Sequence, residues 1–574
     1  MYILGINAYH PNSSASIVKD GQLIAAAEEE RFCRIKHWAG FPVAAIRYCL
    51  NEAGIGFEDI DYIGVSRDPW RHLHKKVILV LKRRFPLSFL KSRLDNLVKI
   101  GGLKNTLSLE FGLSPSQLRA RLYNIEHHRA HIASSFFLSG FDDAALISID
   151  AMGDFVSTMW GSGRGNRIKV MDWIEFPHSL GFFYSAATQF LGFVRFGDEF
   201  KVMGLAAYGK PRYIDKFKKI LLFTKGGRFK LNLDYFSLYS RGIKMLWDNQ
   251  EPSVGALYSE KWFADFGAAR NPEGELTQHH KDMAASLQAL LEEAYFHILN
   301  YVYRQVKKER LCLAGGVALN CVANGKILEH TPFKELYIQP AANDAGTSVG
   351  AAYYIYHQIL GEPRSFIMQH AYWGPQFTNQ EIGNILKDQG VNFKKYEEDD
   401  LTVYTAKALS LGKIVGWFQQ RMEWGPRSLG SRSILTDPRR QEMKDTLNAR
   451  IKHRESFRPF APSILKENIQ DYFGANYTSP FMLISLPVRK ERIKDIIAAA
   501  HVDGSARFQT VDRETNPLFW KLIEEFRKIT GVPALLNTSF NENEPVVCRP
   551  SEALDCFLRT KMDILVIGNY IIEK

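Results

Sequence analysis

Ala144-Ala-Leu-Ile-Ser-Ile-Asp150-Ala-Met-Gly153-Asp154-Phe-Val156-Ser-Thr-Met-Trp160 reads as an apolar strand, a short Gly/Asp turn and a return strand. The same pattern opens the chain. Tyr2-Ile-Leu-Gly-Ile-Asn7 is a strand, His10-Pro-Asn-Ser-Ser14 a polar turn, and Ala15–Val18 leads past Gly21 to a further strand, Gln22-Leu-Ile-Ala-Ala-Ala27. A strand, polar turn and strand occurring twice predict a duplicated α/β domain. Met283 to Lys307 has apolar residues at helical spacing without Pro or Gly, so a long buried helix is expected there. A buried strand, Leu311-Cys-Leu-Ala314, follows and runs into Gly315-Gly316. Composition shifts between Pro363 and Pro375, which predicts two domains, 1–362 and 363–574. The second is expected to be another α/β unit, with strands at Ile414–Phe418 and Ile564–Ile567.

The 574 residues are 46% hydrophobic and 24% charged, ordinary for a globular protein and too many for one core. No apolar run reaches the roughly 18 residues needed to cross a bilayer. Met1-Tyr-Ile-Leu-Gly5 carries no signal pattern. The six cysteines are scattered without C-x-x-C. These features predict a reducing, cytoplasmic setting and no thiolate zinc site. The net charge of +11 is uneven: Arg67 to Arg121 holds 13 Lys/Arg against three acids. Its core, His72-Leu-His-Lys-Lys-Val-Ile-Leu-Val-Leu-Lys-Arg-Arg-Phe85, mixes apolar residues with bases as a basic amphipathic helix does. It reads as a solvated insertion or as a surface for an anionic substrate or a membrane face. Aromatics between the bases are sparse, which argues against nucleic acid.

Several motifs can carry chemistry. His127 and His131 are four apart, so a helix would place both on one face, where they can share a metal ion or simply pack. The Glu that zinc proteases place between such histidines is missing, which argues against protease chemistry. Asp150 ends an apolar strand, and Asp344 sits on a turn before the small-residue run Ala345-Gly-Thr-Ser-Val-Gly-Ala-Ala352. Two His and two Asp make an N₂O₂ set suited to iron, zinc or manganese; each Asp alone also reads as a cap or turn residue. Leu313-Ala-Gly315-Gly316-Val-Ala-Leu-Asn320 is a strand, two glycines and a helix start, a turn that lets backbone approach phosphate. Asp198-Glu-Phe-Lys201-Val-Met-Gly204 is a charged loop at a helix start. In the second domain, Trp424-Gly-Pro-Arg427-Ser, Lys452-His-Arg454-Glu-Ser-Phe-Arg458, His501-x-Asp-Gly-Ser-Ala-Arg507 and Asn537-Thr-Ser539-Phe-Asn541 gather cations and hydroxyls suited to phosphates. The stretch Phe229 to Phe266 is rich in aromatics, which suit either a sugar or polyketide acceptor or a core.

His127-x-x-x-His131, Glu199-Phe-Lys201-Val-Met-Gly204-Leu-Ala, Gly315-Gly316-Val-Ala and Asp344-x-Gly resemble the universal tRNA threonylcarbamoyladenosine transferases, which have the actin-like ATPase (ASKHA) fold. The whole chain is closer still to the O-carbamoyltransferases of antibiotic and nodulation-factor biosynthesis (NodU/CmcH type). Those join that fold to a C-terminal YrdC-like α/β domain. The resemblance implies an ATP-dependent O-carbamoyltransferase. Its C-terminal domain would make carbamoyl-adenylate from carbamoyl phosphate and ATP. Its N-terminal domain would transfer the carbamoyl group to a hydroxyl of a small-molecule, glycan, antibiotic or lipid-linked acceptor. It further implies that His127, His131, Asp150 and Asp344 hold one divalent metal, Fe(II), with Mg accompanying ATP. Gly315, Gly316, Asn320, Lys201 and Gly204 would bind nucleotide, and His10 and Lys36 would be catalytic. Arg427, Lys452, Arg458, Arg507 and Ser539 would bind carbamoyl phosphate and adenylate. Family members often carry Asp shortly after the first-strand His, whereas Pro11-Asn12 follows His10 here. No nucleic-acid partner is expected, and there is room for a peripheral membrane contact and a homodimer. The alternatives are a tRNA-modifying enzyme of the threonylcarbamoyl type and a non-enzymatic ATP-binding regulator.

Overall fold

A computed structural model describes residues 1–82, 101–114, 117–237, 245–246, 251–475 and 477–574. The chain divides into two compact units, Met1–Met368 and Gln369–Lys574. The division falls inside the composition shift between Pro363 and Pro375.

The first unit is built on two five-stranded sheets. One takes β1 (Tyr2–Asn7), β2 (Ser14–Lys19), β3 (Gln22–Glu28), β4 (Tyr62–Val65) and β5 (Arg121–Asn124) in the order β3-β2-β1-β4-β5. β1 to β3 form an antiparallel meander, and β4 and β5 continue parallel to β1. The other begins with β6 (Asp143–Gly153), β7 (Val156–Arg164) and β8 (Arg167–Glu175). Two small hairpins follow in the chain, β9 (Leu221–Thr224) with β10 (Arg228–Leu231) and β11 (Met245–Leu246) with β12 (Ser253–Val254). β13 (Arg310–Ala314) and β14 (Glu335–Ile338) then complete the order β14-β13-β6-β7-β8. Its strand senses repeat those of the first sheet. The duplicated α/β domain expected from sequence is therefore present as two copies of one topology, the plan of the actin-like ATPases.

Small residues let these copies approach. The Gly346–Tyr353 helix crosses β1 and the His127–Phe136 helix. A Cβ on Gly5 would lie 1.9 Å from the Ser348 carbonyl oxygen, and one on Gly350 1.8 Å from that of Ala130. Glycine is required at both for backbone to meet backbone. The long helix runs Gln278–Val306. It starts upstream of the apolar run because a capping box between Thr277 and His280 closes a polar first turn.

The second unit is one mixed sheet of nine strands. In chain order they are β15 (Lys394–Lys395), β16 (Val415–Phe418), β17 (Arg432–Thr436), β18 (Ala461–Leu465), β19 (Ile484–Pro487), β20 (Ser505–Val511), β21 (Ala534–Ser539), β22 (Ile564–Ile567) and β23 (Tyr570–Glu573). In space they run β15-β23-β22-β16-β17-β21-β18-β20-β19. The central strands β16, β17, β18 and β22 are buried along their whole length; β16 and β22 read as apolar runs without alternation, whereas β17 buries Arg432, Ser433 and Thr436, and β18 buries Ser463.

Of the aromatic stretch, Phe229, Tyr235, Phe236, Trp262 and Phe266 are buried. Phe190 packs against Trp262 and Phe266 at ring-centroid distances of 5.3 and 6.2 Å. Core packing, not an acceptor platform, accounts for those five. Tyr239 and Trp247 lie outside the described residues, as do 83–100, 115 and 116 of the basic segment.

Candidate functional site

In the first unit, the helix His127–Phe136 carries His127 and His131 on one face. Asp150 arrives from β6, where the ladder with β7 breaks between Ile149 and Gly153. Asp344 arrives from the turn before the Gly346–Tyr353 helix. These four residues offer ligand atoms that all lie within 4.8 Å of one another. The two Nε2 atoms are 3.0 Å apart. Asp344 Oδ1 is 3.3 Å from His127 Nε2 and 3.5 Å from His131 Nε2; Asp150 Oδ2 is 3.5 and 3.9 Å from the same atoms. All four side chains are buried. Two imidazole nitrogens and two carboxylate oxygens converging on one buried point fit a divalent metal of the iron, zinc or manganese type.

The electrostatics point the same way. Burial opposes a charge on His127, but Asp344 and Asp150 outweigh it and raise its pKa to about 10. Burial pushes the Asp344 carboxyl up, yet His10 and His127 hold it well below the usual carboxylate range. A proton on His127 thus stands where a cation is wanted between two buried carboxylates.

Neighbouring residues fix this geometry. Asp154 Oδ2 accepts from the backbone N–H of His127 at 2.9 Å, capping the His127–Phe136 helix from the adjacent hairpin. It also accepts from Asp68 N–H at 2.8 Å. Asp154 and Phe155 form the β6–β7 turn, both at positive φ (48° and 75°). His128 packs 5.6 Å from the His127 ring and 5.9 Å from that of His131 but makes its own hydrogen bonds. Its Nε2–H donates to Val156 O at 2.9 Å, and its Nδ1 lies 2.6 Å from Ser148 Oγ, which then donates to it. Burial pushes its pKa down to about 3, so it is a neutral structural residue. Gly153 lies against His127: a Cβ there would sit 2.0 Å from the ring carbon Cδ2. Gly153→Ala should displace that ring and lower metal affinity about 10–100-fold, with the fold retained. Metal content after dialysis against graded chelator, by plasma mass spectrometry, checks this.

His10 joins the same point. Its Nδ1 abuts Asp344 Oδ2, and its ring centroid is 5.2 Å from that of His127. One carboxylate therefore serves the histidine pair through Oδ1 and His10 through Oδ2. Lys36 lies on the loop beside the His10 turn. That loop accepts from Asn12 N–H and Ser13 N–H through the carbonyls of His37 and Trp38. Asn12 has its Oδ1 2.8 Å from His37 Nδ1 and so accepts from the ring.

The Gly315-Gly316 turn follows β13. Gly315 has φ +91°, and a Cβ there would lie 2.3 Å from Ile149 O. The Gly316 N–H donates to Asp150 Oδ1 at 3.0 Å, so the glycine turn and the His/Asp cluster share one carboxylate. Asn320 caps the next helix by accepting from Ala323 N–H, and its amide pairs with that of Gln288. It therefore positions the turn through bonds already made. The helix Glu199–Ala206 carries Lys201 and Gly204 beside this turn, where Met203 Sδ is 3.9 Å from Cys321 Sγ. Lys201 pairs with Asp198 at 3.0 Å.

The second unit holds its own cationic cluster. Glu423 Oε1 accepts from the N–H groups of Leu429, Ser431 and Arg432 at 2.8, 2.7 and 3.1 Å, fixing the loop that bears Arg427. Asn537 Nδ2 donates to Ser428 O at 3.3 Å, tying that loop to β21, which ends at Ser539. Lys452 is buried and its ammonium donates to Ser539 O, Asn541 O and Asn541 Oδ1 at 2.6–2.7 Å, with Ser539 Oγ at 3.3 Å. Burial pulls its pKa well down, and Arg454 and Arg458 add to this. Arg454 is depressed first by burial, then by Arg458 and Arg507. Three guanidiniums and an ammonium held near one another favour an anion among them. Arg432, by contrast, is structural. It is fully buried, 3.7 Å from the Phe418 ring centroid, and donates to carbonyls of Pro375, Gln419 and Gln420.

Comparison with known proteins matches both units. The family model described as the carbamoyltransferase N-terminus covers residues 2–353, and that for the carbamoyltransferase C-terminus covers 406–574. An uncharacterised Synechocystis protein is 44% identical, over 100% of this chain and 97% of its own. The nodulation protein NolNO of Sinorhizobium fredii is 38% identical over 99% of this chain and 80% of its own. A 3'-hydroxymethylcephem-O-carbamoyltransferase of Amycolatopsis lactamdurans is 31% identical over 62% of this chain and 65% of its own.

Proposed function

The chain belongs to the carbamoyltransferase family and is a transferase, and from that premise we propose that it makes carbamoyl-adenylate in its second unit and transfers the carbamoyl group to an acceptor hydroxyl in its first. The observation that carries this reading is Asp150, which faces the histidine pair with one oxygen and holds the glycine turn with the other. A nucleotide on that turn is thereby in register with His10 and the histidine pair.

In the second unit, carbamoyl phosphate loses its phosphate to water, giving carbamate and inorganic phosphate. A carbamate oxygen attacks the α-phosphorus of ATP, and pyrophosphate leaves. Arg427, Arg458 and Arg507 neutralise the charge developing on the phosphoryl oxygens, while Lys452 holds Ser539 and Asn541 in place. In the first unit the acceptor hydroxyl attacks the carbamoyl carbon, and adenosine monophosphate leaves. His10, oriented by Asp344, takes the hydroxyl proton. Gly315, Gly316, Asn320, Lys201 and Gly204 frame the nucleotide, with Lys36 beside the reacting group. His127, His131, Asp150 and Asp344 would hold one divalent metal, Fe(II) by family resemblance, which supplies Lewis-acid stabilisation of negative charge on the transferred group. Mg accompanies ATP. Adenylation converts carbamate, a poor electrophile, into a mixed anhydride with a good leaving group.

No helix among the described residues is long and apolar enough to cross a membrane. All six cysteines are free, which supports a cytoplasmic setting.

The protein with ATP, Mg and carbamoyl phosphate should release pyrophosphate and form carbamoyl-adenylate, followed by mass spectrometry. Failure of both with metal present would sink the reading. Candidate acceptors should then gain the mass of one carbamoyl group.

A further inference from the structure

Between β21 and the helix Pro550–Arg559 the chain makes a loop closed at its base, where Val547 N–H donates to Phe540 O at 2.9 Å. This loop supplies half of what the buried Lys452 ammonium holds. Asn541 offers its carbonyl and its amide oxygen, both at 2.7 Å, and Ser539, at the strand end, offers the other two oxygens. A loop without regular structure loses conformational entropy when it is held still, so other contacts must hold it.

Those contacts come from behind the loop. Asn541 Nδ2 donates to Glu544 O at 2.6 Å, while Oδ1 accepts from Lys452 and, at 2.8 Å, from the Ser539 hydroxyl. Turned over, the amide would set its NH₂ group against the ammonium. The Glu544 carboxylate fixes the turn that presents this carbonyl. Its Oε2 accepts from Asn543 N–H at 3.0 Å and its Oε1 from Glu542 N–H at 3.3 Å. Arg559, the last residue of the helix, ties that turn down. Its Nη2 pairs with Glu544, its Nη1 with Glu542, and its Nε donates to Asp555 Oδ2 at 3.1 Å. Glu542 Oε1 also lies 3.7 Å from Nε2 of His453, the chain neighbour of Lys452. A lone surface ion pair contributes little, but one guanidinium gripping three carboxylates is a network of fixed geometry. Burial pushes the Glu544 carboxyl up, yet backbone N–H groups and Arg559 hold it below its ordinary value, so it stays ionised for this task.

We propose that Glu544 and Arg559 are positioning residues for adenylate formation, holding the Asn541 loop so that Lys452 and Ser539 are in place for carbamoyl phosphate. This role rests on the proposed adenylation in the second unit. Both residues act through Asn541 rather than on the substrate. A purely local task for Arg559, a cation closing the end of its helix, accounts for the Asp555 pair four residues back. It does not account for Glu542 and Glu544, which lie outside the helix.

Pyrophosphate release by the full chain, measured against carbamoyl phosphate concentration, tests the role. Arg559→Met should raise KM for carbamoyl phosphate about tenfold with kcat within about twofold. Arg559→Lys, which keeps the charge, should recover most of that loss. Glu544→Gln should act like Arg559→Met, and the double variant should be no worse than either, because both cut one tie. Transfer from carbamoyl-adenylate supplied ready-made should be unchanged in all four. Hydrogen exchange follows the loop without the chemistry: in Arg559→Met the amides of residues 541–544 should exchange about tenfold faster, with the rest of the second unit unchanged. An unmoved KM overturns the proposal even if exchange quickens, since Arg559 would then serve the fold alone. So do losses that multiply to about a hundredfold in the double variant, which would make the two residues independent. An equal loss of transfer also overturns it, as general damage to the fold. If the unaltered protein releases no pyrophosphate, the adenylation reading fails and this role falls with it, while the exchange rates still show whether the tie exists.

Discussion

Lys452→Ala is expected to abolish carbamoyl-adenylate formation. Pyrophosphate release dependent on carbamoyl phosphate should fall about 10²–10³-fold or more, the scale of losing a preorganised cationic donor. The reason is visible in what the ammonium does. It is 1% exposed, and its three protons are shared among four oxygens of Ser539 and Asn541. Without it, Ser539 O keeps only the Asn541 N–H and Asn541 Oδ1 only the Ser539 hydroxyl, while the Asn541 carbonyl loses its ammonium donor, at a cost of about 1–3 kcal/mol for a buried group left unpaired. The segment then has every reason to rearrange, taking Ser539 with it. Lys452→Met keeps the volume and should lose activity equally, which separates the charge from the packing. Circular dichroism confirms folding. Transfer from carbamoyl-adenylate supplied ready-made should persist in both variants. Undiminished pyrophosphate release would refute the role, and equal loss of transfer would refute the division of labour.

His127→Ala should give the opposite pattern, with pyrophosphate release retained, transfer down about 10²–10³-fold and metal content lost. Removing the ring leaves Asp150 and Asp344 buried with one imidazole between them. A proton signature accompanies this. In the metal-free protein His127 is held at about 10, above its unfolded value near 6.5. The stabilisation is therefore fully present below pH 6.5 and is lost as pH rises through about 10. At pH 8 the ring is charged, so loading a divalent metal must displace about one proton. Calorimetry in two buffers of different ionisation enthalpy measures that proton; the variant should release none. Proton-free binding to the unaltered protein would place the metal elsewhere.

The parts of the site that sequence made legible are those carried by local pattern. His127 and His131 are one helical turn apart, and Gly315-Gly316 ends an apolar strand, so each announces itself within ten residues. The duplicated strand–turn–strand showed for the same reason. Long-range partners did not. Asp154 looks like a turn residue, and only the fold lays its carboxylate on a helix start 27 residues earlier. Arg432 sits among turn residues like Arg427, yet tertiary packing buries it on Phe418. Asn320 follows the glycine turn in sequence, but its pairing with Gln288, on the long helix, is a tertiary contact no local pattern shows. The Leu73–Lys82 helix shows its amphipathic period in sequence, but a period does not say which face looks outward.

Asp150 has a thermodynamic corollary. Its two oxygens serve two ligand sites, the histidine pair and the Gly316 N–H. Occupying either should narrow the carboxylate's rotational freedom before the other arrives. Metal and nucleotide should then raise each other's affinity by the same factor, whichever is added first. A single side chain would thus couple the two sites reciprocally, each ligand strengthening the other without having to come first.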